Sequence, residues 1–201
     1  MKKVILSLVI CWGVTGVAFA KGDANAGKNK VTECAACHGV TGVSPAANWP
    51  NLAGQGSKYL IKQITDIKEG RRSVPEMMPF VSKLSTQDIE DIAAYYASQP
   101  APQGATDSKY VSLGESLYRG GDTKRNIPAC ASCHSPTGKG NAPGGFPHIA
   151  GQKVDYTIKQ LKDFREGDRT NDGDIKIMRT IAEKLSNKEV EAVANYISGL
   201  R

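Results

Sequence analysis

Residues 34–38 read CAACH and residues 130–134 read CASCH. Two cysteines three apart, followed at once by a histidine, form the attachment signature of c-type haem. The spacing has a chemical reason. Two thiols one helical turn apart can add across the two vinyl groups of the haem, and the next residue brings an imidazole under the iron. A zinc site could use four cysteines, but it would leave the adjoining histidines unexplained. A thioredoxin-like redox pair would sit near a βαβ pattern, which is absent. Disulfides within such close pairs would be strained. The sequence therefore predicts two covalently bound c-type haems, held by Cys34 and Cys37 and by Cys130 and Cys133, with His38 and His134 as iron ligands.

Working outward, the chain is written twice. PNLAGQGSKYLIKQITDIKEGRR at 50–72 matches PHIAGQKVDYTIKQLKDFREGDR at 147–169. KLSTQDIEDIAAYYAS at 83–98 matches KLSNKEVEAVANYISG at 184–199. Both copies have helical periodicity. Tyr59, Leu60, Gln63, Ile64 and Ile67 share one face, and Gly70 follows as a stop. Ser85 and Asp88 make a capping-box-like start before Ile89, Ile92, Ala93 and Tyr96, as Ser186 and Glu189 do before Val190, Val193, Ala194 and Ile197. No clear alternating strand pattern appears. The expected fold is all-α, with two tandem small haem domains at 21–98 and 109–201, joined by a breaker-rich linker at 99–108. Domains of this size have thin cores, and a covalent haem supplies apolar surface to bury.

The second copy has one methionine, Met178. In the register of the block that follows, it falls on Met77 of PEMMPF (75–80), and Met78 falls on Arg179. Met77 and Met178 are thus the candidate sixth ligands; methionine sulfur opposite histidine raises a haem's reduction potential. His148 corresponds to Asn51, so it reads as a surface or packing histidine. Trp49 and Phe146 correspond and read as core residues against haem. NDGD at 171–174 lacks the spacing of a calcium loop and reads as a solvated turn.

The first twenty residues, MKKVILSLVICWGVTGVAFA, have two lysines, an apolar run and a small-x-small end. That pattern predicts a signal peptide over 1–20, cleaved after Ala20, and hence export. Without it the chain has 24 basic and 20 acidic residues, a net charge of +4. The short Lys-Lys start suits a bacterial envelope protein.

CAACHG, PNLAGQ, the Met77 segment, CASCHSPTGKG, GFPHIAGQ and KLSNKEVEAVANYISGL together resemble the di-haem cytochrome c4 family over nearly all of the chain after residue 20. The resemblance implies two cytochrome c domains, each with histidine and methionine on the iron, and an electron carrier rather than an enzyme. It also implies a periplasmic location, with loose peripheral association with the membrane. Electrons would come from an upstream quinol-oxidising complex or another donor and pass one at a time to a membrane haem–copper terminal oxidase. No nucleic-acid partner is expected. It further implies that the carbonyls of Pro50 and Pro147 accept hydrogen bonds from His38 and His134. The departures are Ser135 in place of a glycine after His134, and the doubled methionine. The competing reading is a di-haem enzyme, a peroxidase or sulfur-compound dehydrogenase, with one labile iron site.

Overall fold

The computed structural model describes residues 22–201; the expected signal peptide lies outside the described residues. The first unit begins with α1 (Ala24–Lys30), whose Asp23 side chain caps the Asn25 N–H. α2 (Thr32–His38) carries the first CAACH. α3 (Ser57–Lys68) is followed by Gly70 at φ +75°. A 3-10 turn (Pro75–Met77) leads into α4 (Met78–Val81), and α5 (Thr86–Ser98) closes the unit. In the second unit α6 (Ser108–Glu115) runs on into a π-helical turn (Ser116–Gly120). Then come α7 (Ala131–His134), α8 (Val154–Glu166), α9 (Ile177–Ala182) and α10 (Asn187–Gly199). Among the described residues the only β pairing is two isolated antiparallel bridges, Asp122–Ile127 and Asn141–Phe146.

Each unit is built on a crossing of its first and last helices. A side chain at Gly27 of α1 would put its Cβ 2.0 Å from the Asp91 carbonyl oxygen and 2.9 Å from Cβ of Tyr95. At Gly114 of α6 the corresponding distances are 2.5 Å to the Ala192 carbonyl and 2.6 Å to Cβ of Tyr196. Only glycine lets the backbones approach this closely. The crossing was not evident from the cysteine-anchored repeat. Gly27 precedes Cys34 by seven residues, whereas Gly114 precedes Cys130 by sixteen. The extra residues hold the π-helical turn and the Asp122–Ile127 bridge.

Both expected capping boxes form, at Ser85/Asp88 and Ser186/Glu189. The apolar positions read from α5 and α10 are all buried. Val31, Leu60, Ile92, Ala93, Tyr95 and Tyr96 make one core, with Cys34 packed against it. Tyr118, Val193, Tyr196, Ile197 and Leu200 make a second, with Cys130 against it, and Ile127, Leu185 and Val190 make a smaller third. The stretch between α5 and α6 is wedged between the units. Ala101 packs on Gly54 and the Pro102 carbonyl on Gly151, equivalent glycines at φ +70° and +69°.

Candidate haem centres

The helix at each cysteine pair, with Cys34 and Cys37 inside α2 and Cys130 the N-cap of α7, ends at its histidine, and the chain then turns with a positive φ. Gly39 sits at φ +76°, ψ +153°, and Ser135 at φ +67°, ψ +158°. This region is essentially reserved for glycine, so Ser135 adopts it under strain. The turn brings the following loop back over the imidazole. His38 Nδ1 lies 3.0 Å from the Pro50 carbonyl oxygen, and His134 Nδ1 lies 3.1 Å from that of Pro147. A carbonyl only accepts, so Nδ1 carries the proton and Nε2 keeps its lone pair for a metal. Both rings are buried, and burial lowers their pKa against the opposing pull of the proline carbonyls.

Cys34, Cys37, Cys130 and Cys133 are all half-buried. Among the described residues no three His, Cys, Asp or Glu side chains converge to hold a metal ion. Met77, at the end of the 3-10 turn, is half-buried, while Met78 is 36% exposed. Met178, in the first turn of α9, is half-buried. Its neighbour Arg179 donates through Nε to Asp172 at 2.7 Å. Trp49 and Phe146 are half-buried.

The NDGD stretch departs from its reading as a solvated turn. Gly173 and Asp174 are exposed, but Asn171 is buried and Asp172 is taken up by Arg179. Asn171 Nδ2 donates to Gln63 Oε1 at 3.0 Å and to Asp66 Oδ2 at 2.6 Å in the other unit.

Those bonds belong to a buried polar seam that sequence reasoning missed. Arg72 donates to Gln63 Oε1 (2.9 Å) in its own unit, and to the Tyr156 hydroxyl (3.1 Å) and Gln160 Oε1 (2.9 Å) across the seam. Arg169 mirrors it, donating to Gln160 Oε1 (2.7 Å), and across to the Tyr59 hydroxyl (3.1 Å) and Gln63 Oε1 (2.9 Å). Burial opposes ionisation of Tyr59, but Arg169 and Arg72 outweigh it and lower its pKa. The apolar-face reading of α3 placed Gln63 correctly as buried, but not its partners. The available signal was the pairing of Gln63 with Gln160 and Arg72 with Arg169 at one repeat offset.

A second pair of contacts lies beside the proline carbonyls. Gln55 Oε1 accepts the His148 N–H at 2.8 Å, and its Nε2 donates to the His148 carbonyl at 2.8 Å. Gln152 treats Asn51 likewise, at 2.8 and 3.0 Å. His148 is half-buried, and it meets the other unit through its backbone.

The donor set fits haem. Each unit offers two thiols and one imidazole with its outer nitrogen free. The guanidiniums of Arg169, which is buried, and Arg72, which is half-buried, make no ion pair among the described residues. Cations shielded from water and without an ion-pair partner suit the carboxylates that haem carries.

The cytochrome c family model matches residues 24–100 and again 112–201. Cytochrome c4 of Pseudomonas aeruginosa is 55% identical over 200 residues, covering 100% of both chains. The crystal structure of reduced recombinant cytochrome c4 from Pseudomonas stutzeri superposes with a TM-score of 0.88 at 53% identity, covering 90% of this chain and 100% of that one. A thiosulfate dehydrogenase electron acceptor of Stutzerimonas stutzeri is 38% identical, over 83% of this chain and 78% of its own. The chain belongs to the cytochrome c4 family: an all-α electron carrier, not an enzyme, with two covalently bound c-type haems on its two cysteine pairs.

Proposed function

We propose that this cytochrome c4 relative works in the periplasm, carrying electrons from an upstream quinol-oxidising complex to a membrane haem–copper terminal oxidase. The iron ligands in this reading are His38 with Met77 and His134 with Met178, within domains at 21–98 and 109–201. When bound, each haem supplies one-electron chemistry at its iron. The observation that carries the reading is the matched surroundings of the two sites. Each imidazole is held by a proline carbonyl, at 3.0 and 3.1 Å, and each unit has a half-buried methionine at the same repeat position. A nitrogen and a sulfur ligand on each iron leave no position for a substrate.

The protein groups have defined tasks. Cys34, Cys37, Cys130 and Cys133 tether the two haems. The carbonyls of Pro50 and Pro147 fix the ring orientation and raise ligand basicity. Met77 and Met178 favour ferrous iron through their thioethers. Among the described residues no helix is long and apolar enough to cross a membrane.

Two measurements test it. Purified protein should show the weak red-region band of methionine-ligated ferric haem at both sites, unchanged by peroxide or carbon monoxide. The reduced protein should pass electrons to oxidase-containing membranes; failure to be reoxidised there would refute the oxidase as acceptor. The thiosulfate dehydrogenase electron acceptor among its relatives favours a second donor, a sulfur-compound-oxidising enzyme. Rapid reduction by such an enzyme with thiosulfate, and slow reduction by a quinol-oxidising complex, would select that donor.

A further inference from the structure

The Pro50 carbonyl and the Asn51 N–H belong to one peptide group. Its oxygen accepts from His38 Nδ1 at 3.0 Å, and its N–H donates to Gln152 Oε1, in the other unit, at 2.8 Å. The Pro147–His148 peptide repeats this arrangement in reverse. Its oxygen accepts from His134 Nδ1 at 3.1 Å, and its N–H donates to Gln55 Oε1 at 2.8 Å. Both glutamines are buried. Each is also pinned by the residue after it: Gly56 N–H donates to Gln55 Oε1 and Lys153 N–H to Gln152 Oε1, both at 2.9 Å.

Hydrogen bonds in series polarise one another. Drawing on the peptide N–H makes its oxygen more negative, which strengthens the bond from Nδ1–H. The imidazole becomes a better electron donor through Nε2, and a better donor favours ferric iron. We propose that Gln152 and Gln55 are crossed positioning residues, each acting through a single peptide group to orient and polarise the histidine of the opposite unit and so lower that iron's reduction potential. The inference rests on the reading of His38 and His134 as iron ligands. It follows that docking of the two units, and not only the pocket of each, sets both potentials.

The test uses the full di-haem protein. A spectropotentiometric titration is followed by proton NMR, so that each haem is read through its own ligand signals. Gln152→Met keeps side-chain length and removes the acceptor. It should shift the N-terminal haem's reduction equilibrium toward ferrous by about two-fold, leaving the C-terminal haem nearly unmoved. Gln55→Met should produce the mirror result. Gln152→Glu retains an acceptor oxygen and should hold or lower the N-terminal potential; it also serves if the methionine variant folds poorly. Asn171→Ala loosens the seam without touching either glutamine and should leave the crossed pattern absent. The proposal is overturned if the shift falls on the variant's own unit, on both haems equally or on neither. It is equally overturned if Glu acts like Met, or if Asn171→Ala reproduces the pattern. The ligand reading is tested separately in the unmodified oxidised protein: the ring protons of His38 and His134 must show large paramagnetic displacements, and their absence would refute ligation before any variant is made.

Discussion

In the first unit the aromatic ring beside the leading thiol is Tyr96, on α5, with its ring 5.4 Å from that of Tyr95 and tilted 54° to it. In the second unit the same place is filled by Tyr118, from the turn after α6, 5.6 Å from Tyr196 and tilted 50°. Tyr95 and Tyr196 are repeat equivalents, but Tyr96 corresponds to Ile197 and Tyr118 lies among the extra residues. The same aromatic pair is thus assembled from different points along the chain. The hydroxyls differ as well. Tyr118 donates to the Ser135 carbonyl at 2.7 Å, whereas the buried Tyr96 hydroxyl has no protein partner among the described residues. In the first unit it is Tyr95 that reaches the corresponding loop, donating to the Val40 carbonyl at 3.0 Å. Packing demands a ring of a given size at a given place, and it is indifferent to which segment provides it.

The largest effects should come from the methionines. Met77→Ala should remove about half of the red-region band, since one of two sulfur–iron bonds is lost, and open that haem to carbon monoxide. Met178→Ala should do the same to the other haem. Met78→Ala should leave the band intact; the reverse contrast between Met77 and Met78 would place the repeat register off by one.

Arg169→Ala should break the mirror symmetry of the seam. It leaves Gln63, Gln160, Tyr59 and Asn171 short of a partner, at about 3 kcal/mol for several buried groups. Calorimetry should then resolve two unfolding transitions where the unmodified protein shows stronger coupling. A single unshifted transition would mean that the seam does not join the units.

The tyrosine contrast can be read directly. Tyr118→Phe strips the part-buried Ser135 carbonyl of its donor and should cost about 1 kcal/mol in denaturant midpoint experiments. Tyr96→Phe removes a hydroxyl with no protein partner and should be neutral or stabilising. Equal costs would show that the two rings are not in different polar surroundings.

Ser135 and Gly39 occupy one backbone conformation with different residues. Ser135→Gly should stabilise by about 1 kcal/mol, the relieved strain less the added freedom of the unfolded chain. Gly39→Ser should cost more, because its Cβ would come within 2.2 Å of the Val43 carbonyl oxygen.

The smallest effect concerns the capping carboxylates. Arg125, then the Ser186 cap, hold Glu189 down to about 2 against the opposing effect of burial; Lys30 and the Ser85 cap likewise depress Asp88. A depressed carboxylate stabilises above its unfolded pKa, 4.5 for Glu189, and that contribution fades as pH falls toward 2. Arg125→Ala should therefore lower stability slightly at neutral pH. It should also flatten the acid limb between pH 4.5 and 2 in a stability titration.

Much of this molecule is legible in one dimension. The cysteine spacing, the adjoining histidines, the doubled blocks, both capping boxes and the buried face of α5 and α10 follow from local rules: thiol reach, helical period and end-group satisfaction. The proline carbonyl bonds were reached through family resemblance, and the distances agree with them. What the residues could not disclose are relations between the copies. Gln55 and Gln152 look like polar loop residues until docking sets each against the other unit's backbone. Arg72, Arg169 and Asn171 look like solvent-facing turn residues until the same docking covers them, and Gln63, on the buried face of its helix, shows its partners only then. Tyr118 stands for Tyr96 only because an insertion folds into the vacant place beside Cys130. Periodicity and spacing report what a segment does to itself. A buried donor, by contrast, takes whichever acceptor the docked surfaces bring within about 3 Å, and that choice is made only in three dimensions.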